Sequence, residues 1–147
     1  MVKNEDKMSD LLNPIYKNKG IVVRQDAEWP IPAFYIVSID EHIGSISDLD
    51  DRLCIEIILI IKKIRKGLKD LFGIDRAQIY HEEKINAPHF HIWILPLWND
   101  VMKKNNIYPK IYESNVKQYI DLFKYESTKK KIKECNEKMK KYLSEGC

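Results

Sequence analysis

Residues 48–72 constrain the fold more than any other stretch, because they have the periodicity of one long amphipathic helix. Apolar residues recur there at every third or fourth position, which places them on one helix face: Leu53, Ile57, Ile60, Ile61, Ile64, Leu68, Leu71 and Phe72. Acidic residues lie at the start of the stretch and several lysines in its second half, as the helix dipole favours. Gly73 follows it, and glycine is common just after the end of a helix. A helix with one apolar face needs a second layer to cover it, so the rest of the chain must supply that layer.

Four short segments are typical of β-strands, being rich in β-branched and aromatic residues or alternating in polarity. They are residues 21–24, 33–39, 77–80 and 89–95. The order β-β-α-β-β-α predicts an α+β domain with an antiparallel sheet. Residues 99–109 are polar and predict irregular structure, and helical periodicity returns from Tyr112 onward. The last helix carries an apolar stripe of Ile132, Cys135, Met139, Tyr142 and Leu143.

Length and composition limit the class of protein. The 147 residues suit a single domain over residues 1–147, and 25 basic against 22 acidic residues give a net charge of only +3. That balance argues against duplex DNA as a partner, whereas a small anion is compatible with it. The three cysteines, Cys54, Cys135 and Cys147, form no C-x-x-C pair, which predicts reduced thiols and no zinc knuckle. The most apolar run, residues 53–61, is too short for a membrane span of about 20 residues, so a cytoplasmic protein without a membrane partner is expected.

Residues 86–96 contain the main candidate site residues, in the sequence Asn-Ala-Pro-His-Phe-His-Ile-Trp-Ile-Leu-Pro. Side chains alternate between the two faces of a strand, so His89, His91 and Trp93 should share one face. The opposite face is apolar and is predicted to point into the core: Phe90, Ile92 and Ile94. Two histidines about 7 Å apart on one face can bind a phosphate or a metal ion. Because histidines also occur on solvated strand faces, the spacing predicts a site without defining a reaction.

This stretch resembles the signature of the histidine triad (HIT) superfamily, in which His, apolar, His, apolar, His, apolar, apolar lies on a strand. Residues 89–95 read His-Phe-His-Ile-Trp-Ile-Leu and are followed by Pro96. Residues 32–43 are similar to the Pro-Gly-His strand of the family and the Lys-His-Ile turn after it. Residues 96–100, Pro-Leu-Trp-Asn-Asp, are similar to the Pro-Arg-Trp-x-x-Asp of the dinucleoside-polyphosphate phosphorylase branch. The resemblance covers residues 20–102 and implies a sheet of about five strands with the long helix packed on it, followed by a C-terminal helical extension over residues 103–147.

The resemblance also implies an activity. In that family the middle histidine attacks the α-phosphorus of a nucleotide, and a nucleotidyl-histidine forms. That role falls on His91, with His89 orienting the site and Asn86 bonding the phosphate or the leaving group. A neutral imidazole near pH 7 is a competent nucleophile. The implied protein is a homodimeric hydrolase or nucleotidyltransferase that acts on a dinucleoside polyphosphate or a similar nucleotide conjugate without a cofactor.

Two positions depart from the family pattern. The third histidine of the motif is replaced by Trp93, whose indole N–H donates a hydrogen bond but cannot accept or shuttle a proton. Phe34 stands where the family has the histidine of Pro-Gly-His. Both side chains are expected to contact the nucleotide, together with Trp29, which could pack on the base.

Other interpretations of the same residues stay open at this point. The protein could bind nucleotides without turnover, as a sensor, or His89 and His91 could bind a metal ion with His81 or a carboxylate. The amphipathic C-terminal helix could serve as a protein-interaction module. His42 is interpreted as a capping or hydrogen-bonding residue. The adjacent Lys103 and Lys104 could pair with distal phosphates or simply be solvated.

Overall fold

The computed structural model describes residues 11–86, 89–107 and 113–145. Strands in these ranges are β1 (Tyr16–Asn18), β2 (Ile21–Gln25), β3 (Tyr35–Ile39), β4 (Ala77–His81) and β5 (His91–Pro96). The described part of the chain forms one five-stranded sheet in the order β1-β2-β3-β5-β4, with every neighbouring pair antiparallel. This arrangement confirms the predicted α+β fold and its antiparallel sheet.

Four α-helices accompany the sheet in the described ranges: α1 (Asp51–Phe72), α2 (Asn99–Lys104), α3 (Glu113–Asp121) and α4 (Tyr125–Ser144). A 3₁₀ turn, Ile46–Asp48, precedes α1. The long helix predicted from periodicity is α1, which Asp50 caps by accepting a hydrogen bond from the Leu53 N–H at 2.7 Å. It ends at Gly73, whose φ of 66° lies in the left-handed region that glycine adopts readily. None of the helices in the described ranges is long and apolar enough to cross a membrane.

The hydrophobic core lies between α1 and one face of the sheet. Tyr35 is paired with Ile94, and Val37 with Ile92, so these four side chains lie on the same face. They belong to one buried cluster with the apolar face of α1, as the alternation of residues 89–95 predicts. The opposite face of β3 and β5 is therefore the one left to carry polar chemistry.

The C-terminal helix α4 packs on α1 and completes the core. Gly67 of α1 permits a close approach, since a Cβ atom at that position would lie 2.8 Å from Met139 Sδ. Lys63 Nζ donates to Leu143 O at 2.9 Å, and Tyr142 OH donates to Asp70 Oδ2 at 2.8 Å. The apolar stripe predicted on this helix is thus occupied by the protein's own core.

Several local predictions were wrong in their bounds or type. Residues 99–104 form α2, not an irregular segment, because Met102 is anchored in the core. Strand β1 was not predicted, since three residues give too little pattern to recognise. Strand β3 begins at Tyr35 because Ala33 adopts a φ of 64°, which no regular strand accommodates. Strand β5 begins at His91 and not at His89. Cys147 and the predicted start of helical structure at Tyr112 lie outside the described residues.

Candidate functional site

The motif histidines and Trp93 lie side by side on the face of the sheet that α1 does not cover. The ring centroids of His89 and His91 are 6.1 Å apart, and those of His91 and Trp93 are 5.5 Å apart. In the register of the sheet, His91 lies opposite Ser38 and Trp93 lies opposite Ile36. His91 and Trp93 are half-buried, whereas His89 lies before the strand and is exposed. The strand thus presents one imidazole from a fixed backbone position.

A cleft of about 530 Å³ opens over this part of the sheet, a volume in the range of small-molecule sites. Strands β3 and β5 contribute Ile36, His91, Trp93 and Leu95 to it. The segment between β2 and β3 contributes Asp26, Trp29 and Phe34, and the end of β4 and the loop after it contribute His81 and Lys84. Helix α3 adds Val116 and Ile120. The cleft therefore combines histidine, lysine and acidic side chains with apolar and aromatic ones.

The environment of His91 favours its neutral form. Burial lowers the pKa of His91 below 6.5, and the nearby positive charges of His89 and Lys84 lower it further. His81 holds the backbone of the same residue, because its Nδ1 lies 3.0 Å from His91 O. A neutral imidazole with a free electron pair is the form that acts as a nucleophile near pH 7.

Trp93 lies beside a buried carboxylate, that of Asp26. The Trp93 side chain lies close enough to Asp26 to lower its pKa slightly, and Asp26 is 5% exposed and lines the same cleft. Asp26 Oδ1 accepts hydrogen bonds from the backbone N–H groups of Glu28 and Trp29, both at 2.8 Å. Burial raises the pKa of Asp26, and these donors act in the opposite direction. Asp26 therefore links the third motif position to the segment that carries Trp29.

Trp29 and Phe34 form an aromatic pair in the cleft that His91 also lines. Their ring centroids are 6.1 Å apart with an interplanar angle of 15°. Phe34 is buried, whereas Trp29 is 40% exposed, so the pair offers an accessible aromatic surface in the cleft. Aromatic side chains of this kind provide stacking surface for a planar group.

Comparison with solved structures identifies the fold. A HIT-like protein involved in cell-cycle regulation from Bartonella henselae is similar with a TM-score of 0.60 and 15% identity, and the match covers 92% of each chain. The histidine triad nucleotide-binding protein from Sulfolobus tokodaii strain7, described as hypothetical, is similar with a TM-score of 0.55 and 20% identity, covering 90% of this chain and 88% of that one. A HIT family protein from Bacillus subtilis has a TM-score of 0.54 and 16% identity, covering 88% and 89%. The chain has the histidine triad fold.

No protein-family model matches this sequence, and no curated protein matches it. At identities of 15–20% the comparisons therefore establish only the fold. Any chemistry has to be argued from the side chains of the site. The match to the Bartonella henselae protein covers 92% of the chain, more than the residues 20–102 that carry the sequence resemblance.

The HIT-like structure brings together some of the predicted site residues and separates others. His91, Trp93, Phe34 and Trp29 all line the cleft. Asn86 is exposed on the loop after β4 and is not among the described residues that line it. His89 lies next to His91 but faces His42, with 5.4 Å between the ring centroids. The roles of all six predicted residues, Asn86 and His89 included, stay predictions.

The sequence analysis did not predict the lysine that lines the cleft. Lys84 lines the cleft, whereas the exposed Lys103 and Lys104 at the end of α2 are not among its lining residues. Glu83 holds the loop of Lys84 by accepting hydrogen bonds from Ser45 Oγ at 2.8 Å and Ile46 N at 3.0 Å. The available signal was a lysine two residues before Asn86, in the loop that leads to the motif.

Asp26 was also missed, although it directly follows β2 and lies three residues before Trp29. Across the described ranges, no group of three or more histidine, cysteine, aspartate or glutamate side chains is arranged to hold a metal ion.

Proposed function

We propose that this HIT-like protein binds a nucleotide conjugate in the cleft and transfers its nucleotidyl group to His91. The observation that carries the proposal is the half-buried His91 imidazole, kept neutral on the floor of a cleft of about 530 Å³ beside an aromatic pair. Support also comes from the similar fold of a Sulfolobus tokodaii protein that is named a histidine triad nucleotide-binding protein.

In the first step a ring nitrogen of His91 attacks the α-phosphorus. The phosphorus–nitrogen bond forms while the bond from phosphorus to the leaving oxygen breaks, and that oxygen departs with the electron pair. Water or another acceptor then attacks the nucleotidyl-histidine, loses its proton to solvent and releases the nucleoside monophosphate. The imidazole returns to its neutral state for the next cycle.

The residue at the third motif position favours a particular leaving group. Trp93 cannot deliver and recover a proton, because its indole N–H only donates hydrogen bonds. A phosphate leaving group departs as an anion without needing a proton, whereas an amine or an alkoxide needs one. We therefore favour a dinucleoside polyphosphate over an amine conjugate as substrate.

Lys84 is suited to the distal phosphates in this scheme. It lines the cleft close enough for its charge to lower the pKa of His91. A fixed positive charge stabilises the negative charge that builds up on phosphate oxygens during transfer. The same charge adds to the effect of burial in lowering the pKa of His91, so the lysine serves both the imidazole and the phosphate.

The test compares His91→Asn with the unchanged protein on a panel of dinucleoside polyphosphates. We expect turnover to fall at least about a thousandfold, since the nucleophile is lost, while the dissociation constant measured by calorimetry changes only a fewfold. His42→Asn is a matched control, because it makes the same chemical change 5.4 Å from His89 and outside the lining of the cleft. Binding without turnover by the unchanged protein would show a sensor, and absence of both would overturn the proposal.

We propose further that the protein is a homodimer formed along the β4 edge of the sheet. Ile79 of this edge strand is 51% exposed, and Ile58 of α1 is 62% exposed. Ile58 lies seven residues before Arg65 and so on the same side of the helix. Arg65 Nη2 donates to Asp75 O at 2.9 Å, just before β4, which places Ile58 on the β4 side. Analytical ultracentrifugation should show a dimer that Ile58→Glu converts to a monomer, and a monomeric unchanged protein would contradict this.

A further inference from the structure

Helix α3 lies outside the residues that resemble the HIT signature, yet it provides part of the cleft. Val116 and Ile120 both line it. They are four residues apart and therefore lie on the same side of the helix. Both are half-buried, although the neighbouring Tyr119 is fully buried. The accessible apolar surface of α3 is thus directed to the cleft.

Tyr119 fixes α3 to the strand that carries the nucleophile. Its hydroxyl donates to Pro96 O at 2.6 Å and accepts from the Trp98 backbone N–H at 3.0 Å. Pro96 is the last residue of β5, the strand that begins at His91. A single buried hydroxyl therefore satisfies one acceptor and one donor at the end of β5. Burial raises the pKa of Tyr119 well above 10.0, so the hydroxyl stays neutral.

This attachment places α3 at the opposite end of the cleft from His91. Leu95, which precedes Pro96, also lines the cleft. Four residues separate it from His91, which corresponds to about 13 Å along a strand. A ligand with its phosphate at His91 would direct its remaining part, the sugar and the base, toward Leu95 and α3.

We propose that Val116 and Ile120 are specificity-determining residues that contact the base of the bound nucleotide, with Tyr119 as the positioning residue that holds them there. This inference rests on the proposed function. Neither side chain has a hydrogen-bonding group, so they select the base by its shape and size. Apolar contacts discriminate by about 10- to 200-fold between ligands that differ slightly in size, so the protein prefers bases of one size without rejecting the others completely.

The experiment measures the dissociation constants of adenosine, guanosine, cytidine and uridine monophosphates by calorimetry, without relying on turnover. Ile120→Ala and Val116→Ile should change the ratio of purine to pyrimidine affinity about tenfold, in opposite directions, because one enlarges the cleft and the other narrows it. Lys117→Ala, an exposed position on the same helix, is the matched control and should leave the ratio unchanged. Two apolar variants that both keep the ratio of the unchanged protein would overturn the inference.

Tyr119→Phe separates positioning from a purely structural role. It removes both hydrogen bonds and keeps the ring, so we expect weaker binding of all four nucleotides and a smaller difference between them. A lower Tm with unchanged affinities would show that Tyr119 only stabilises the fold, and would overturn its positioning role. If nucleotides bind with the predicted base ratios but no conjugate is turned over, the proposed reaction fails while the role of α3 stands. If no nucleotide binds to the unchanged protein, both fail.

Discussion

The two faces of β5 are built from consecutive residues and behave as two different regions. On the α1 side, Ile92 and Ile94 are buried in a single apolar cluster. On the other side, His91 and Trp93 are half-buried, and Trp93 lies beside the Asp26 carboxylate, which comes from a distant part of the chain. The alternation along the strand determines which face each side chain is on. The burial and the polar partners of that side chain depend on which other segments pack against the face.

The largest expected effect is a difference between core-face and cleft-face variants of the sheet, in their free energy of unfolding and in their nucleotide affinity. Ile94→Ala should lower the free energy of unfolding by about 2–5 kcal/mol, because the side chain is fully buried and a cavity replaces it. Its nucleotide affinity should stay close to that of the unchanged protein. Ile36→Ala, the matched change on the half-buried cleft face, should destabilise less and weaken binding more. Urea unfolding and calorimetry measure both quantities, and equal effects of the two changes would remove the distinction between the faces.

An intermediate effect concerns the polar contacts of the cleft face. Trp93→Phe removes an N–H donor beside Asp26 and should lower the free energy of unfolding by about 0.5–1.5 kcal/mol at neutral pH, because the ionised carboxylate loses one of its donors. It should also raise the pKa of Asp26 further. The pKa of Asp26 already lies above 3.8, so the stability linked to it is complete below pH 3.8 and declines as the pH rises through the folded value.

The loss of stability caused by Trp93→Phe should therefore be smaller at acidic pH, where Asp26 is protonated in both the variant and the unchanged protein. Trp98→Phe is the matched control, since its indole N–H donates to the carbonyl of Pro32 at 2.8 Å, a group that does not titrate. Thermal unfolding between pH 4 and 8 compares the two variants. A deficit of Trp93→Phe that is as independent of pH as that of Trp98→Phe would contradict the link to Asp26.

The sequence predicts the sheet face of each motif residue better than it predicts the partners of that residue. Helix α1 and the orientation of His91 follow from periodicity, which is local. The contact between Trp93 and Asp26, and the position of α3 at the cleft, depend on segments far apart along the chain, which no local pattern encodes. Helix α2 was missed for the same reason, because its burial through Met102 outweighs its polar composition.

The smallest expected effect is on the ionisation of His91. Its pKa should lie below 6.5, and His89→Asn should raise it only part of the way, because burial is the first cause of the shift and the charge of His89 the second. Since the folded pKa is below the unfolded one, stability should fall as the pH drops from 6.5 toward the folded value. Titration by NMR tests this, and a pKa at or above 6.5 would contradict the lowering by burial and nearby positive charge.

The most direct test of the proposed reaction is mass spectrometry of the protein after rapid mixing with a dinucleoside polyphosphate and quenching in alkali. We predict a gain equal to one nucleotidyl group on the peptide that contains His91, and no gain in His91→Asn. Turnover without that adduct, or an adduct that persists in His91→Asn, would contradict a nucleophilic role for His91.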